Sequence, residues 1–285
     1  MSTYGMAALA LWSMLLQAPT ALGEQDHPGH RSFMVFDGTL YKDKPDFSAY
    51  GIRPISLAYA GALGNTWYRT PDQMPDKNQV GKVAREARTK ADYVVIDIEH
   101  WPLHGDGREV ERSVRKFLTV LDWFKEAAPG LNVGFYGAPP IRDYWRAVKG
   151  PASKERGEWK HENDALRGLA DAVDTLYPSL YTFYSDQDGW VRFAQAQIEE
   201  ARRYGKGKPV YVFLWPQYHD SNRSLAGTYL PPDYWRLELE TARQYADGII
   251  LWGGWGSNNR PAKWDDDAAW WKVTREFIQT VNAHP

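Results

Sequence analysis

Two carboxylates two residues apart, Asp97 and Glu99, close an apolar run, Tyr93-Val94-Val95-Ile96-Asp97-Ile98-Glu99-His100-Trp101-Pro102. In an extended chain, residues i and i+2 point to the same side. Asp97 and Glu99 therefore share a face, with backbone positions about 6.6 Å apart. Two acids this close in a partly dry cleft do not both ionise cheaply, so one keeps its proton to higher pH. A carboxylic acid still protonated near neutrality donates that proton to a leaving group. Paired carboxylates of this kind are the equipment of glycoside hydrolysis. The same two acids also suit a plainer role, pairing with Arg or Lys or capping the next loop.

Such a pair needs a scaffold, and the chain alternates short apolar runs with longer helical patterns. Strands are expected at Phe33–Phe36, Ile55–Tyr59, Tyr93–Ile98, Leu131–Tyr136, Thr175–Tyr181, Val210–Trp215 and Gly248–Trp252. Helices are expected at Val80–Ala91, Val110–Ala128, Asp164–Val173, Trp190–Tyr204, Pro232–Tyr245 and Asp265–Val281. Asp164, Asp188, Asp233 and the run Asp265–Asp267 stand where N-caps belong. The charged stretch Asp143–Asn163 reads as a long loop on the rim. Strand–helix alternation predicts an α/β fold, a single distorted TIM-like (β/α) barrel of seven parallel strands over 32–285. No Gly-x-Gly-x-x-Gly follows the first strand and no Gly-Lys-Ser/Thr loop occurs, which disfavours a nucleotide-binding open sheet. In a barrel the inward face at the strand C-termini opens into the site. Asp97 then lies deeper, Glu99 nearer the mouth, and Ile96 and Ile98 face the helices.

The other strand ends carry Tyr136, Tyr181, Trp215 with Tyr218, and Trp252, and Trp101 follows the acid pair. Tyr hydroxyls there suit a substrate amide or carbonyl, and Trp rings suit the apolar faces of a sugar. The 14 Trp and 17 Tyr fit a large aromatic core as well as such a cleft. A formal net charge of −2 gives no sign of a nucleic-acid partner. With no Cys, disulfides, thiolate metal sites and a thiol nucleophile are excluded. No cofactor motif and no metal-ligand cluster is evident, and the sequence is silent on oligomeric state.

The N-terminus is distinct. Met6–Leu16 is an apolar run of 11 residues, too short for the roughly 20 residues of a bilayer span. Small residues follow it, so residues 1–23 read as a secretory signal peptide, 24–31 as a flexible leader, and the product as secreted or periplasmic with no integral membrane span.

Motif by motif, the chain resembles the hyaluronidase family of endo-β-N-acetylhexosaminidases, the type found in bee venom and mammalian tissues. Val95-Ile96-Asp97-Ile98-Glu99-His100-Trp101 is similar to that family's Val-Ile-Asp-x-Glu-x-Trp. Gly134-Phe135-Tyr136-Gly137, Tyr177-Pro178-Ser179-Leu180-Tyr181 and Ile249-Ile250-Leu251-Trp252-Gly253 resemble three further motifs, and Leu214–Asp220 a fourth, loosely. The resemblance implies a seven-stranded distorted barrel and retaining hydrolysis assisted by the substrate. The sugar's 2-acetamido oxygen attacks the anomeric carbon, an exception to the two-carboxylate scheme. It further implies Glu99 as acid and then base, Asp97 orienting the acetamide, Tyr181 and Tyr136 binding it, and Trp252 shaping its methyl pocket. His100-Trp101-Pro102 departs from the family's Glu/Arg-Trp-Arg-Pro, and basic residues such as Arg142, Arg146 and Arg223 are scattered. The expected partner is therefore a glycan containing N-acetylhexosamine, its polymer unspecified. Two alternatives fit many of the same residues: a muramidase-like cell-wall lysozyme, and a non-catalytic carbohydrate-binding barrel.

Overall fold

β-branched and aromatic runs favour the pleated, doubly covered strands of a parallel sheet. In the computed structural model, which describes residues 32–70, 72–256 and 260–283, these runs form β1 Met34–Thr39, β2 Arg53–Pro54, β3 Ser56–Tyr59, β4 Tyr93–Asp97, β5 Asn132–Phe135, β6 Tyr211–Leu214 and β7 Gly248–Gly253. The expected signal peptide and leader, 1–23 and 24–31, lie outside the described residues. All paired strands are parallel. One ladder runs β2-β1-β7-β6 and the other β3-β4-β5. β2 and β3 are parts of one run interrupted at Ile55, after Pro54; the first part pairs with β1 and the second with β4.

The expected strand at Thr175–Tyr181 closes the ring on the other side, but it is not a continuous strand. Tyr177 bridges to Tyr136, Leu176 to Val210 and Ser179 to Phe213. Leu176 and Leu180 donate to the carbonyls of Pro209 and Phe213, and the carbonyls of Leu176 and Pro178 accept from Tyr211 and Phe213. The rung between needs an N–H at position 178, and Pro178 has none. The described residues thus form a distorted α/β barrel with seven strand positions, as the sequence predicts.

Eight α-helices cover the barrel among the described residues: α1 Lys77–Arg88, α2 Gly107–Ala127, α3 Tyr144–Ala147, α4 Lys154–Asp164, α5 Arg167–Ala172, α6 Gln187–Gly205, α7 Pro232–Tyr245 and α8 Ala269–Ala283. In α2 the buried residues Val110, Phe117, Val120, Leu121 and Phe124 recur at helical spacing and face the sheet. Asp76, Asp106 and Asp186 cap α1, α2 and α6 by accepting first-turn N–H groups. The cap of α6 is therefore Asp186 rather than the expected Asp188, which already lies inside the helix. Asp164 does not cap α5; it ends α4 and pairs with Arg203 at 2.7 Å.

The stretch expected as a loop, Asp143–Asn163, holds α3 and most of α4. Its apolar period is weak because α4 buries Trp159 together with the polar Arg156 and Asn163. Arg146 clamps the segment, bonding Asp143 at 2.6 Å and both oxygens of Glu162 at 2.9 and 2.7 Å. These are charge-assisted, bidentate contacts, stronger than ordinary hydrogen bonds.

Two apolar clusters separate the faces of each strand. The barrel interior collects Phe36, Val95, Tyr177, Tyr211, Phe213 and Ile250. The layer under the helices takes the alternate residues, including Val94, Ile96 and Ile98. Gly134 is small for a reason: a Cβ there would stand 2.2 Å from the Thr175 carbonyl oxygen and 2.8 Å from the Tyr177 ring. The inward position on β5 is given up to the aromatic of its neighbour.

Candidate active site

The alternation that puts Val95 inside carries on to Asp97, the last residue of β4, and to Glu99 just past it. Both acids line one cavity of about 170 Å³ at the C-terminal mouth of the barrel. Asp97 is half-buried, whereas the Glu99 side chain is 60% exposed. Burial, and next the charge of Glu99, push the Asp97 carboxyl up to about 7, against the opposing pull of Arg142.

The remaining strand ends wall the cavity with aromatic rings. Tyr136, Tyr181, Trp215 and Trp252 all face it. Tyr181 lies 5.4 Å from Trp252 and 5.9 Å from Tyr136, and Trp252 meets Trp215 at 4.9 Å with an interplanar angle of 88°. Burial holds the Tyr181 hydroxyl well above its usual range and pushes Tyr136 up to about 12. Both therefore keep their protons and can donate hydrogen bonds.

Of the other candidates, Trp101 is buried against Trp67 and Phe117 and borders a second depression of about 190 Å³, which shares Glu99, Tyr136 and Arg142 with the first. The structure does not bring Tyr218 to the cavity. Its ring packs 6.3 Å from Tyr234 on α7, in the outer layer. Tyr218 stands three residues past the inward Trp215, an odd spacing that turns it to the opposite side, whereas His219, four residues past, faces the cavity.

Tyr59, His219, Asp220 and Arg142 also line the cavity, and the sequence did not mark them as site residues. Tyr59 ends β3, two residues after the inward Leu57, a signal that was available; its hydroxyl accepts a hydrogen bond from Trp252 Nε1 at 3.1 Å. His219 stacks 6.1 Å from Tyr181, and burial followed by the charge of Arg142 lowers its pKa, favouring the neutral ring. Arg142, a scattered basic residue in the sequence, sits at the centre. Its Nη2 stands 4.0 Å from Glu99 Oε2, and Nη1 donates to the Tyr136 hydroxyl at 3.2 Å and to Ser179 Oγ at 3.3 Å. The chain before it is pinned. Ile141 N–H donates to Asn163 Oδ1 at 2.8 Å, and the Ile141 carbonyl accepts from Trp159 Nε1 at 2.9 Å and Gln197 Nε2 at 3.1 Å.

The chain shares its fold with bee venom hyaluronidase. One crystal structure of that enzyme aligns with a TM-score of 0.58 at 17% identity, covering 88% of this chain and 97% of the other. A second, in complex with a hyaluronic acid tetramer, aligns with a TM-score of 0.55 at 17% identity over 88% and 96%. No protein-family model matches the chain, and no curated protein matches it by sequence.

Among the described residues, no group of three or more His, Asp and Glu is disposed to hold a metal ion. No described helix is long and apolar enough to cross a membrane. The cavity combines a half-buried acid that keeps its proton to about pH 7, an exposed carboxyl group beside it, and neutral hydroxyl donors on an aromatic wall. That set can exchange one proton with a bound group while stacking its apolar face.

Proposed function

We propose that this protein is a glycoside hydrolase acting on a glycan that contains N-acetylhexosamine, by substrate-assisted catalysis. The observation that carries the reading is the environment of Asp97 and Glu99. One acid is half-buried and neutral up to about pH 7, the other is open to solvent, and both face an aromatic-walled cavity. The similarity of fold to bee venom hyaluronidase supports it, as does the run of motifs through which the sequence resembles that family.

In this reading Glu99 protonates the leaving oxygen and later takes a proton from the incoming water. In the free protein the proton resides on Asp97. A sugar bound over the pair receives that proton by way of Glu99, the acid nearer the mouth. Asp97, then charged, orients the 2-acetamido N–H and stabilises the positive charge that develops as the acetamide oxygen attacks the anomeric carbon. Tyr181 donates to that acetamide, and Trp215 and Trp252 hold the ring and its N-acetyl methyl. Glu99 lies at the junction of the two depressions, where a scissile bond between a sugar in the first and its neighbour in the second would meet the acid. Export through residues 1–23 belongs to the same reading, and the N-terminal sequence of the mature protein tests it.

The test is a glycan panel of hyaluronan, chondroitin, chitin oligomers and peptidoglycan, with products identified by mass spectrometry. Cleavage with retention of configuration, lowered about 10²- to 10⁴-fold in Glu99→Gln, is expected. Cleavage of peptidoglycan alone would favour a muramidase. Binding without cleavage of any glycan between pH 4 and 8 would leave a carbohydrate-binding barrel.

A further inference from the structure

We propose a second sugar-binding site on the barrel rim, built by Tyr41, Tyr229, Lys263, Asp265 and Trp270, which holds a pyranose residue of the same glycan away from the scissile bond. The proposal rests on the glycan reading above. These residues line a separate cavity of about 210 Å³. Tyr41 follows β1, Tyr229 lies beyond β6, and the other three lie between β7 and the first turn of α8. All therefore come from segments leaving the C-terminal strand ends, the face that carries the candidate active site.

The cavity has the parts a sugar needs. Tyr41 and Trp270 are buried and lie nearly parallel, with ring centroids 5.9 Å apart at 17°. Tyr229 is 50% exposed, one of three large hydrophobic side chains left exposed among the described residues. Its hydroxyl is within 3.2 Å of that of Tyr41. A ring tethered at its far end offers a stiff apolar surface and loses little side-chain entropy when a pyranose stacks on it. Lys263 and Asp265, both exposed, add a cationic donor and an anionic acceptor. Sugar hydroxyls both donate and accept, so they suit such a pair. Asp265 Oδ1 also accepts from Asp267 N–H at 2.9 Å, which steadies the carboxylate.

Two short segments connect the site to the candidate active site. Trp215, on the wall of the first cavity, donates from Nε1 to Gln217 Oε1 at 2.9 Å, and Gln217 bridges Tyr229 through the backbone. On the other side, Gly254 follows Trp252 by two residues and lies against Tyr41, where a Cβ would stand 2.6 Å from the Tyr41 nitrogen. The two cavities are thus flanked by the same two short segments, 215–217 and 252–254. A glycan longer than its reacting sugars passes from one to the other along this rim.

The experiment uses the Glu99→Gln protein, to prevent turnover, and measures affinity by calorimetry for two-sugar and six-sugar fragments of hyaluronan, chondroitin and chitin. The expected result is that at least one six-sugar fragment binds several-fold more tightly than its two-sugar counterpart. Tyr229→Ala and, separately, Lys263→Ala should each reduce that gain several-fold. Absence of any length-dependent gain, or a gain that neither substitution reduces, overturns the proposal. A wild-type protein that shows the Tyr229-dependent gain yet hydrolyses none of the glycans overturns the catalytic reading and leaves this site standing.

Discussion

Arg142 holds its guanidinium 4.0 Å from the Glu99 carboxylate while donating to Tyr136 and Ser179. One cation thus ties the exposed acid to the tyrosine wall and draws the Asp97 pKa downward. Activity that depends on the proton held by Asp97 falls as pH rises through about 7. Removing the cation raises the Asp97 pKa, so in Arg142→Gln the alkaline limb of the pH–activity profile moves to higher pH. A shift of about 0.5 to 1 pH unit is expected, toward the low end for an opposite charge because the pair is partly exposed. A profile unmoved, or moved to lower pH, would break the link between Arg142 and the acid pair.

Asp97 also sets a stability trend. Its folded pKa, about 7, lies above the unfolded value of 3.8. Below about pH 3 the residue is neutral in both states and costs nothing. Between pH 4 and 7 the unfolded chain gives up the proton and the folded protein keeps it, so stability falls as pH rises and levels off above 7. The full difference corresponds to roughly 4 kcal/mol, an upper bound given water at the cavity. Asp97→Asn, neutral at every pH, should match the wild type in urea unfolding at about pH 3 and exceed it by about 1 to 3 kcal/mol at pH 8, while losing turnover. Equal stabilities at pH 8 would show that Asp97 is not held neutral by burial.

Tyr181 packs its ring against Trp252, Tyr136 and Trp215, so Tyr181→Phe leaves the wall in place and removes only the hydroxyl. The melting temperature should change little, and kcat should fall by about one to two orders of magnitude for one lost transition-state hydrogen bond. Wild-type turnover on the best substrate of the panel would remove Tyr181 from the acetamide site.

Gly134→Ala probes the barrel rather than the chemistry. The added methyl meets the Thr175 carbonyl oxygen at 2.2 Å, and a backbone atom yields less readily than a side chain. A loss of about 1 to 3 kcal/mol is expected, the usual cost of overpacking, read as a lower urea midpoint. Stability equal to that of the wild type would mean that the 175–181 segment adapts freely.

Local rules sufficed for some of this protein. Alternation from Val94 to Glu99 places Val95, Asp97 and Glu99 on one face and Ile96 and Ile98 on the other, because the period of an extended chain is 2 whatever the fold. The rule that parallel strands open their C-terminal ends to the site then puts Asp97 deep and Glu99 at the mouth. Tyr136, Tyr181, Trp215 and Trp252 follow from the same reasoning applied to the other strand ends. Past Leu214 the aromatic ring of Tyr218 draws the expectation, although an even count from Trp215 falls on His219, which faces the cavity; at Pro178 the rule predicts an unbroken strand that the missing N–H interrupts.

Tertiary structure alone decided the rest. Arg142 meets Glu99 because Trp159, Asn163 and Gln197, 18 to 56 residues further along the chain, hold Ile141 by three hydrogen bonds. Tyr229 meets Tyr41 across a separation of 188 residues. Such meetings depend on where loops and helices come to rest after the barrel has closed, and no local periodicity records that.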